Sequence, residues 1–135
     1  MLLSMNELSR CQPLLGTFVR LRLRSDSCEQ ALIKISEQVF KEIQRIHNLM
    51  SFHDHDSELS YINKNAYVKD CRLSKNMQDV LGLASYMSHL SGGIFDITIA
   101  PELIDKGLLP ANYDVDQYQG DWRDIVIEDH TIRFR

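Results

Sequence analysis

Three features that mark large classes of protein are missing from this sequence of 135 residues. There is no excess of basic residues, because 15 Lys and Arg stand against 19 Asp and Glu. A general nucleic-acid binder would normally present a basic face. There is no run of about 20 apolar residues, as a membrane span requires. Paired cysteine spacing is missing too. We therefore expect neither nucleic acid nor a membrane as a partner.

The cysteines, Cys11, Cys28 and Cys71, are odd in number and show no CxxC spacing. A disulfide framework needs paired cysteines and an oxidising compartment. We therefore predict a protein of the reducing cytoplasm, in which all three cysteines are small apolar fillers. The sequence "LSRC", which ends at Cys11, resembles a lipoprotein cleavage site. The residues before it lack a basic start and an apolar run, so we expect no export signal.

The first third of the chain predicts a strand followed by a long helix. Apolar and basic residues alternate in "TFVRLRLR", which is typical of a half-exposed strand with Arg20, Arg22 and Arg24 in solvent. In residues 25–50 apolar residues recur every three or four positions, which predicts one apolar face on a helix. That face consists of Leu32, Ile35, Val39, Ile43, Ile46 and Met50.

Two more helices are predicted in the middle of the chain. Ser57 begins a short helix, because a serine hydroxyl can accept the free N–H groups of a first helical turn. Ser74 begins a long helix in the same way, and the pair Gly92 and Gly93 ends it. The buried face of the long helix is predicted to consist of Met77, Leu81, Ala84, Met87 and Leu90.

The last third predicts a buried segment, a loop and a hairpin. "IFDITIAPEL" is apolar enough to be buried and leads into a short helix with Pro101 in its first turn. "PANYDVDQYQGDW" is a polar loop, and "DIVIEDHTIRFR" contains two strands that turn near Asp129 and His130. No repeat or linker divides the chain. We therefore predict a single domain, residues 1–135, of the α+β class, with an antiparallel sheet packed with two long helices.

The segment "SFHDHDSELS" raises the question of a metal site. Imidazole and carboxylate groups are good ligands for transition metals, and His53 and His55 could share one face of an extended segment. Two ligands are too few for a site, and the others, such as Asp96, would come from elsewhere. Alternatively, Asp56 or Ser57 caps the next helix, which explains "DSEL" but gives no role to Phe52, His53 or Asp54.

A carboxylate and a hydroxyl stand in the otherwise apolar segment "LSGGIFDITIAPEL". Buried polar groups are costly unless they are hydrogen-bonded, so Asp96 and Thr98 need partners. Either they bond local backbone N–H groups, or they face a ligand.

Three blocks of the sequence together resemble the ApbE family, the FAD:protein FMN transferases formerly described as thiamine-biosynthesis lipoproteins. The blocks are "PLLGTFVRL", "IQRIHNLMSFHDHDSELSYIN" and "LASYMSHLSGGIFDITIAPEL". They span residues 13–103 in the family's order, and "DWRDIVIEDHTIRFR" is similar to the hairpin that follows them. The resemblance implies the fold of the amino-terminal half of that family.

The resemblance also implies a function. Family members bind FAD and, with magnesium, transfer its FMN moiety to a Thr or Ser hydroxyl of a target protein. The flavin-binding residues that it implies here are Leu15, Gly16, Thr17, Phe52, His53, Asp54, Phe95, Asp96 and Thr98. Family members usually carry methionine in place of Leu15, and a tyrosine or tryptophan is common near the place of His53. No catalytic residue and no metal ligand can be carried over.

One departure from the family is large, because its members are about twice as long. In the family, the missing part holds a Gly-rich element and the residues that bind magnesium, so transfer by this chain alone should be slow or absent. We expect an exposed apolar face where that part would pack, and therefore a homo-oligomer or a separate second half. Two alternatives remain: a non-catalytic flavin-nucleotide binding protein or scaffold, and a small metalloprotein that uses His53, His55 and Asp96.

Overall fold

The computed structural model describes residues 5–111 and 120–135, so most of the expected polar loop lies outside the described residues. The chain forms two compact units, and the boundary between them falls between Leu49 and Met50. Antiparallel strands and helices make up both units, as the α+β prediction requires. In the described ranges, no helix combines the length and the apolar character that a membrane crossing needs.

The first unit is a hairpin followed by a long helix. Strands β1 (Asn6–Leu14) and β2 (Thr17–Ser25) pair antiparallel from Asn6 opposite Ser25 to Leu14 opposite Thr17. The prediction for β2 is confirmed, with its leucines half-buried and its arginines exposed. Strand β1 was not predicted. Its half-buried positions include Arg10 and Gln12 as well as leucines, so apolar and polar residues do not alternate along it.

Helix α1 (Glu29–Met50) follows the hairpin and buries Leu32, Ser36 and Phe40. The predicted face is wrong at Ile35, which is 43% exposed. The reason lies in β1, where Arg10 donates a hydrogen bond from Nη1 to Ser36 Oγ over 2.7 Å. The same guanidinium lies 5.6 Å from the centre of the Phe40 ring. This contact selects the helix face that contains Ser36 and Phe40 and turns Ile35 outward.

The second unit combines helices of different lengths with a three-stranded sheet. The helices are α2 (Glu58–Asn65), α3 (Lys75–Leu90) and α4 (Ala100–Asp105), and the strands are β3 (Cys71–Arg72), β4 (Ile125–Glu128) and β5 (Thr131–Phe134). The strand order is β3-β5-β4, with both pairs antiparallel. The predicted turn is confirmed, since Asp129 and His130 have φ of 42° and 70° between β4 and β5. The core consists of Ile62, Ala66, Cys71, Leu73, Met77, Leu81 and Ile132.

The ends of the helices in this unit follow the sequence predictions. Ser57 Oγ accepts the N–H of Ser60 over 3.0 Å, and Ser74 Oγ accepts the N–H of Met77 over 3.3 Å. Gly92 and Gly93 follow α3 with φ of 63° and 88°, a conformation that suits glycine. Pro101 lies in the first turn of α4, as expected.

The predicted buried face of α3 is correct for only part of its length. Met77, Leu81 and Ala84 are buried, but Met87 is 39% and Leu90 is 68% exposed. Ser88 is buried instead of them. Apolar residues occupy two faces of this helix, and periodicity alone does not say which one the protein covers.

The segment after the glycine pair is also more exposed than predicted. Ile94 is 92%, Phe95 43% and Ile99 44% exposed. The chain turns tightly here, with the N–H of Phe95 donating to Ser91 Oγ over 2.9 Å. A segment wound around a helix end has few neighbours that could cover its side chains.

The three cysteines are free, as expected, but two of them are not fillers. Cys11 and Cys28 are exposed, and only Cys71 is buried. Burial raises the pKa of the Cys71 thiol, because the charged thiolate loses its hydration there. The thiol of Cys71 is therefore a core group with low reactivity.

Candidate functional site

The nine residues predicted to bind flavin divide between the two units, and each unit has a cavity of its own. Leu15, Gly16 and Thr17 belong to the first unit. The other six belong to the second unit, in the loop after α1 and in the segment after α3.

In the first unit, Leu15 and Gly16 form the turn between β1 and β2. Both have positive φ, 58° for Leu15 and 70° for Gly16. Two-residue hairpin turns of this kind favour Asn-Gly, because a left-handed conformation is strained for a residue with a bulky side chain. The leucine is therefore an unusual residue at this position. Strain of this kind is found preferentially at functional sites.

A cavity of about 370 Å³ lies beside this turn. The three predicted residues line it together with neighbours on the hairpin and two side chains of α1. The lining residues are Pro13, Leu14, Leu15, Gly16, Thr17, Phe18, Gln44 and His47. Leu15 is 51% and Phe18 is 76% exposed, so an apolar surface faces solvent here.

The second unit has a cavity of about 400 Å³. Of the six residues predicted in this unit, Phe52 and Thr98 line it. They come from the two segments that the sequence analysis singled out, so both segments reach one cavity. Most of the other lining residues are apolar, and half of them belong to the core or pack against it; polar groups come from Asn63, Tyr67, Asp121 and Asp124.

The loop after α1 is held by hydrogen bonds to the start of α2. Asp54 Oδ1 accepts the N–H of Asp56 over 3.0 Å, and the carbonyl of Asp54 accepts the hydroxyl of Ser60 over 2.7 Å. Ser57 Oγ donates to the carbonyl of Ser51 over 2.6 Å. Ser57 rather than Asp56 is therefore the cap, and Asp54 orders the loop.

The histidines of this loop are exposed, and His53 does not line the cavity. Its ring meets the Phe52 ring edge-on at a centroid distance of 6.4 Å. Within residues 5–111 and 120–135, no group of three or more His, Cys, Asp or Glu side chains could hold a metal ion. The histidine-rich segment is thus a helix start with an aromatic side chain, Phe52, at the cavity.

Asp96 and Thr98 are half-buried and bonded to each other. Asp96 Oδ1 accepts the backbone N–H of Thr98 over 2.8 Å and its hydroxyl over 2.7 Å. The local partner expected as one of two alternatives therefore exists. The Asp96 carboxylate orients Thr98, and Thr98 lines the cavity. Phe95 is 43% exposed and, like Asp96, is not among the lining residues.

Trp122 was missed by the sequence analysis. Its ring packs edge-on against His89 at 4.5 Å, and the Arg123 guanidinium lies 4.8 Å from its centre. A Cβ atom on Gly93 would lie 2.7 Å from Trp122 Nε1. The tryptophan therefore packs against Gly93, in the segment that leads to Thr98. Asp121 and Asp124 on either side of it form a reciprocal cap on a short 3₁₀ helix, Trp122–Asp124. This D-x-x-D pattern was the sequence signal that could have predicted an ordered position for Trp122.

An apolar stripe lies on the exposed face of α3. Val80, Leu83, Met87 and Leu90 recur at helical spacing and are between 39% and 68% exposed. The second unit therefore has an exposed apolar face.

The fold is shared with solved flavin transferases. The flavin transferase ApbE from Vibrio cholerae matches with a TM-score of 0.82 and 20% identity, over 97% of this chain and 46% of that one. The ApbE protein from Thermotoga maritima matches with a TM-score of 0.78 and 19% identity, over 96% and 45%. The flavinyl transferase ApbE from Pseudomonas stutzeri matches with a TM-score of 0.72 and 14% identity, over 96% of this chain and 42% of that one. The chain thus spans less than half the length of these structures.

The family is defined by sequence as well as by fold. The model of the ApbE family matches residues 15–123, which is more than half of the chain. The chain belongs to the ApbE family and corresponds to its amino-terminal half. A search of curated proteins found no significant match.

Proposed function

We propose that this chain binds FAD and is the flavin-binding half of an FAD:protein FMN transferase. One observation supports the proposal most directly. Phe52 and Thr98, two residues implied by the family resemblance, line one cavity of about 400 Å³ in a chain of the ApbE family. Its apolar walls with a few polar groups are typical of small-ligand sites. One of the two aromatic ring systems of FAD, the flavin or the adenine, fits this chemistry.

The transfer itself is a further step of the proposal. FMN would move from FAD to a Thr or Ser hydroxyl of a target protein, with release of AMP. Phosphoryl transfer depends on positioning and on a cation that neutralises the phosphate oxygens. The described residues offer no metal-ligand group, and we assign no step to a metal bound by them. We therefore expect FAD binding by this chain and little transfer without further residues.

Titration of the protein with FAD, followed by flavin fluorescence, tests the binding. We expect saturation at one FAD per chain. Thr98→Val removes only the hydroxyl at the cavity, and Thr131→Val on β5 is the matched control, because Thr131 does not line the cavity. Weaker binding in Thr98→Val alone supports the proposed site. A parent protein that binds no flavin contradicts the proposal.

Incubation with FAD, magnesium and a target protein with an acceptor threonine separates the transferase from a non-catalytic flavin binder. Covalent flavin on the target, detected by its fluorescence after denaturation, would assign catalysis to this chain. The small-metalloprotein alternative loses support, because His53 and His55 are exposed and belong to no ligand group in the described residues. Stoichiometric bound metal that His53→Ala abolishes would restore it.

We also propose that the stripe on α3 packs against the polypeptide that supplies the other half of the family fold. The solved relatives continue well beyond the part that this chain matches, and the stripe is an uncovered apolar surface. Large uncovered patches of this kind are uncommon on monomers. In isolation the chain should therefore self-associate with rising concentration.

Light scattering across a concentration series tests this. Leu83→Glu places a charge in the stripe and should reduce the association. Gly82→Glu adds the same charge to the same helix at an exposed site where a Cβ meets nothing within 4 Å, so it is the control. A compact parent monomer at high concentration contradicts the proposal.

A further inference from the structure

The cavity of the first unit contains two polar side chains that the family resemblance did not identify. Gln44 and His47 line it from α1, opposite the turn at Leu15 and Gly16. They stand three residues apart, so they share one face of the helix. Both are half-buried, whereas Arg45 and Asn48 beside them are exposed.

The two side chains offer a defined set of hydrogen-bonding groups. Gln44 donates from Nε2 to Asn48 Oδ1 over 2.7 Å, which fixes the orientation of its amide. The carbonyl oxygen of that amide is an acceptor. An imidazole ring has at least one N–H donor, so His47 can donate a hydrogen bond. Gln44 and His47 therefore bring an acceptor and a donor to the same cavity.

The other side of the cavity is apolar. Leu15 and Phe18 expose about half and three-quarters of their surface. The aromatic ring of Phe18 can stack on a flat ring, and Leu15 adds apolar surface. A site with an apolar wall and a neighbouring donor and acceptor suits a planar heteroaromatic ring with the complementary groups along one edge. The pyrimidine part of flavin has such an edge, an N3–H between two carbonyl groups.

We propose that Gln44 and His47 recognise the imide edge of a flavin ring at the turn of residues 15–17. Gln44 Oε1 accepts the N3–H of the ring, and the N–H of His47 donates to the neighbouring carbonyl. This inference rests on the proposed FAD binding and adds to it two specificity-determining residues in the first unit.

A methyl group on the ligand tests the contact directly. Riboflavin and 3-methylriboflavin differ only in the N3–H that Gln44 would accept. We expect the parent protein to bind riboflavin about tenfold more tightly, since one lost hydrogen bond to a half-buried acceptor has about that effect. Gln44→Leu should bind both ligands equally and weakly. His47→Leu should weaken both and keep the difference between them.

The control is Gln38→Leu, the same substitution at an exposed position on the same helix, and it should bind both ligands as the parent does. Far-UV circular dichroism checks that each variant is folded. Because the parent alone is compared with two ligands, the test survives a variant that fails to fold. Equal affinity of the parent for both ligands overturns the inference, and so does a difference that persists in Gln44→Leu.

The possible failures are distinguishable. If the parent binds neither FAD nor riboflavin, the proposed function and this inference fall together. If it binds FAD but not riboflavin, only this inference falls. If the parent binds riboflavin but does not discriminate against the methylated ligand, the proposed function stands and only the role of Gln44 and His47 is overturned.

Discussion

The cavities of the two units are similar in volume, about 370 and 400 Å³, but their walls are made differently. In the second unit the walls are core residues such as Ile62, Met77 and Ile132, which are no more than 2% exposed. In the first unit they are a hairpin turn and one face of α1, with apolar side chains left in solvent.

This difference separates stability from binding. Side chains that line the second cavity also hold the fold together, because removing a buried apolar group costs about 2 to 5 kcal/mol. Side chains at the first cavity contribute little burial, so changing them should alter ligand binding at nearly constant stability. Leu15 goes further, because its backbone strain lowers stability. The first cavity is therefore the better place to study binding alone.

The largest effect is expected at the glycine pair of the second unit. Gly93→Ala would place a Cβ atom 2.7 Å from Trp122 Nε1 at a φ of +88°. The clash and the strained backbone together should lower the free energy of unfolding by about 2 to 4 kcal/mol. Gly92→Ala is the matched control, because its Cβ would meet nothing within 4 Å and only the φ of +63° opposes it.

We expect Gly92→Ala to cost about 1 kcal/mol. Urea unfolding of both variants, followed by tryptophan fluorescence and circular dichroism, measures the difference. Equal losses in the two variants would remove Trp122 as a support of the second cavity and weaken the contrast between the units.

A smaller effect is expected at Asp96, which orients Thr98 at the cavity. Asp96→Ala leaves the N–H and hydroxyl of Thr98 without their acceptor, so unfolding should become easier by about 1 to 2 kcal/mol and FAD binding should weaken. Asp96→Asn keeps the oxygen and should recover the stability. FAD titration of both variants then separates the effect of the Asp96 charge on binding from the effect of its hydrogen bonds to Thr98.

Recovery of FAD affinity in Asp96→Asn would mean that the carboxylate acts through Thr98. Loss of affinity in both variants would mean that its charge contacts the ligand. An FAD affinity unchanged in Asp96→Ala would exclude Asp96 from the site.

Local patterns in the sequence predicted the local structure well. The caps at Ser57 and Ser74, the glycine stop after α3 and the turn at Asp129 and His130 each depend on a few neighbouring residues. Burial was harder to predict, because it depends on what packs against a segment. Leu90 and Ile94 are apolar and still exposed.

The residues of the candidate site were predicted only in part, because a residue reaches a cavity only if the packing around it turns its side chain that way. Phe52 and Thr98 line a cavity, whereas His53 and Asp96 stand beside these residues without lining it. Gln44 and His47 fall within one of the family blocks, but only the cavity beside the hairpin turn marks them as candidate ligand contacts. The sequence therefore indicates the segments that make a site, but side-chain direction and helix rotation depend on tertiary packing.

The smallest effect, and the one that tests the first cavity most directly, is expected at Leu15. Asparagine tolerates a positive φ better than leucine, and Asn-Gly is the preferred sequence for a turn of this kind. Leu15→Asn should therefore raise the free energy of unfolding by about 0.5 to 1 kcal/mol, because it relieves strain at a φ of 58°. At the same time it removes an apolar wall, so flavin binding should weaken. Urea unfolding and riboflavin titration of the same sample measure both changes. Greater stability with unchanged affinity would show that Leu15 has no role in binding, and a loss of stability would show that the leucine packs into the fold after all.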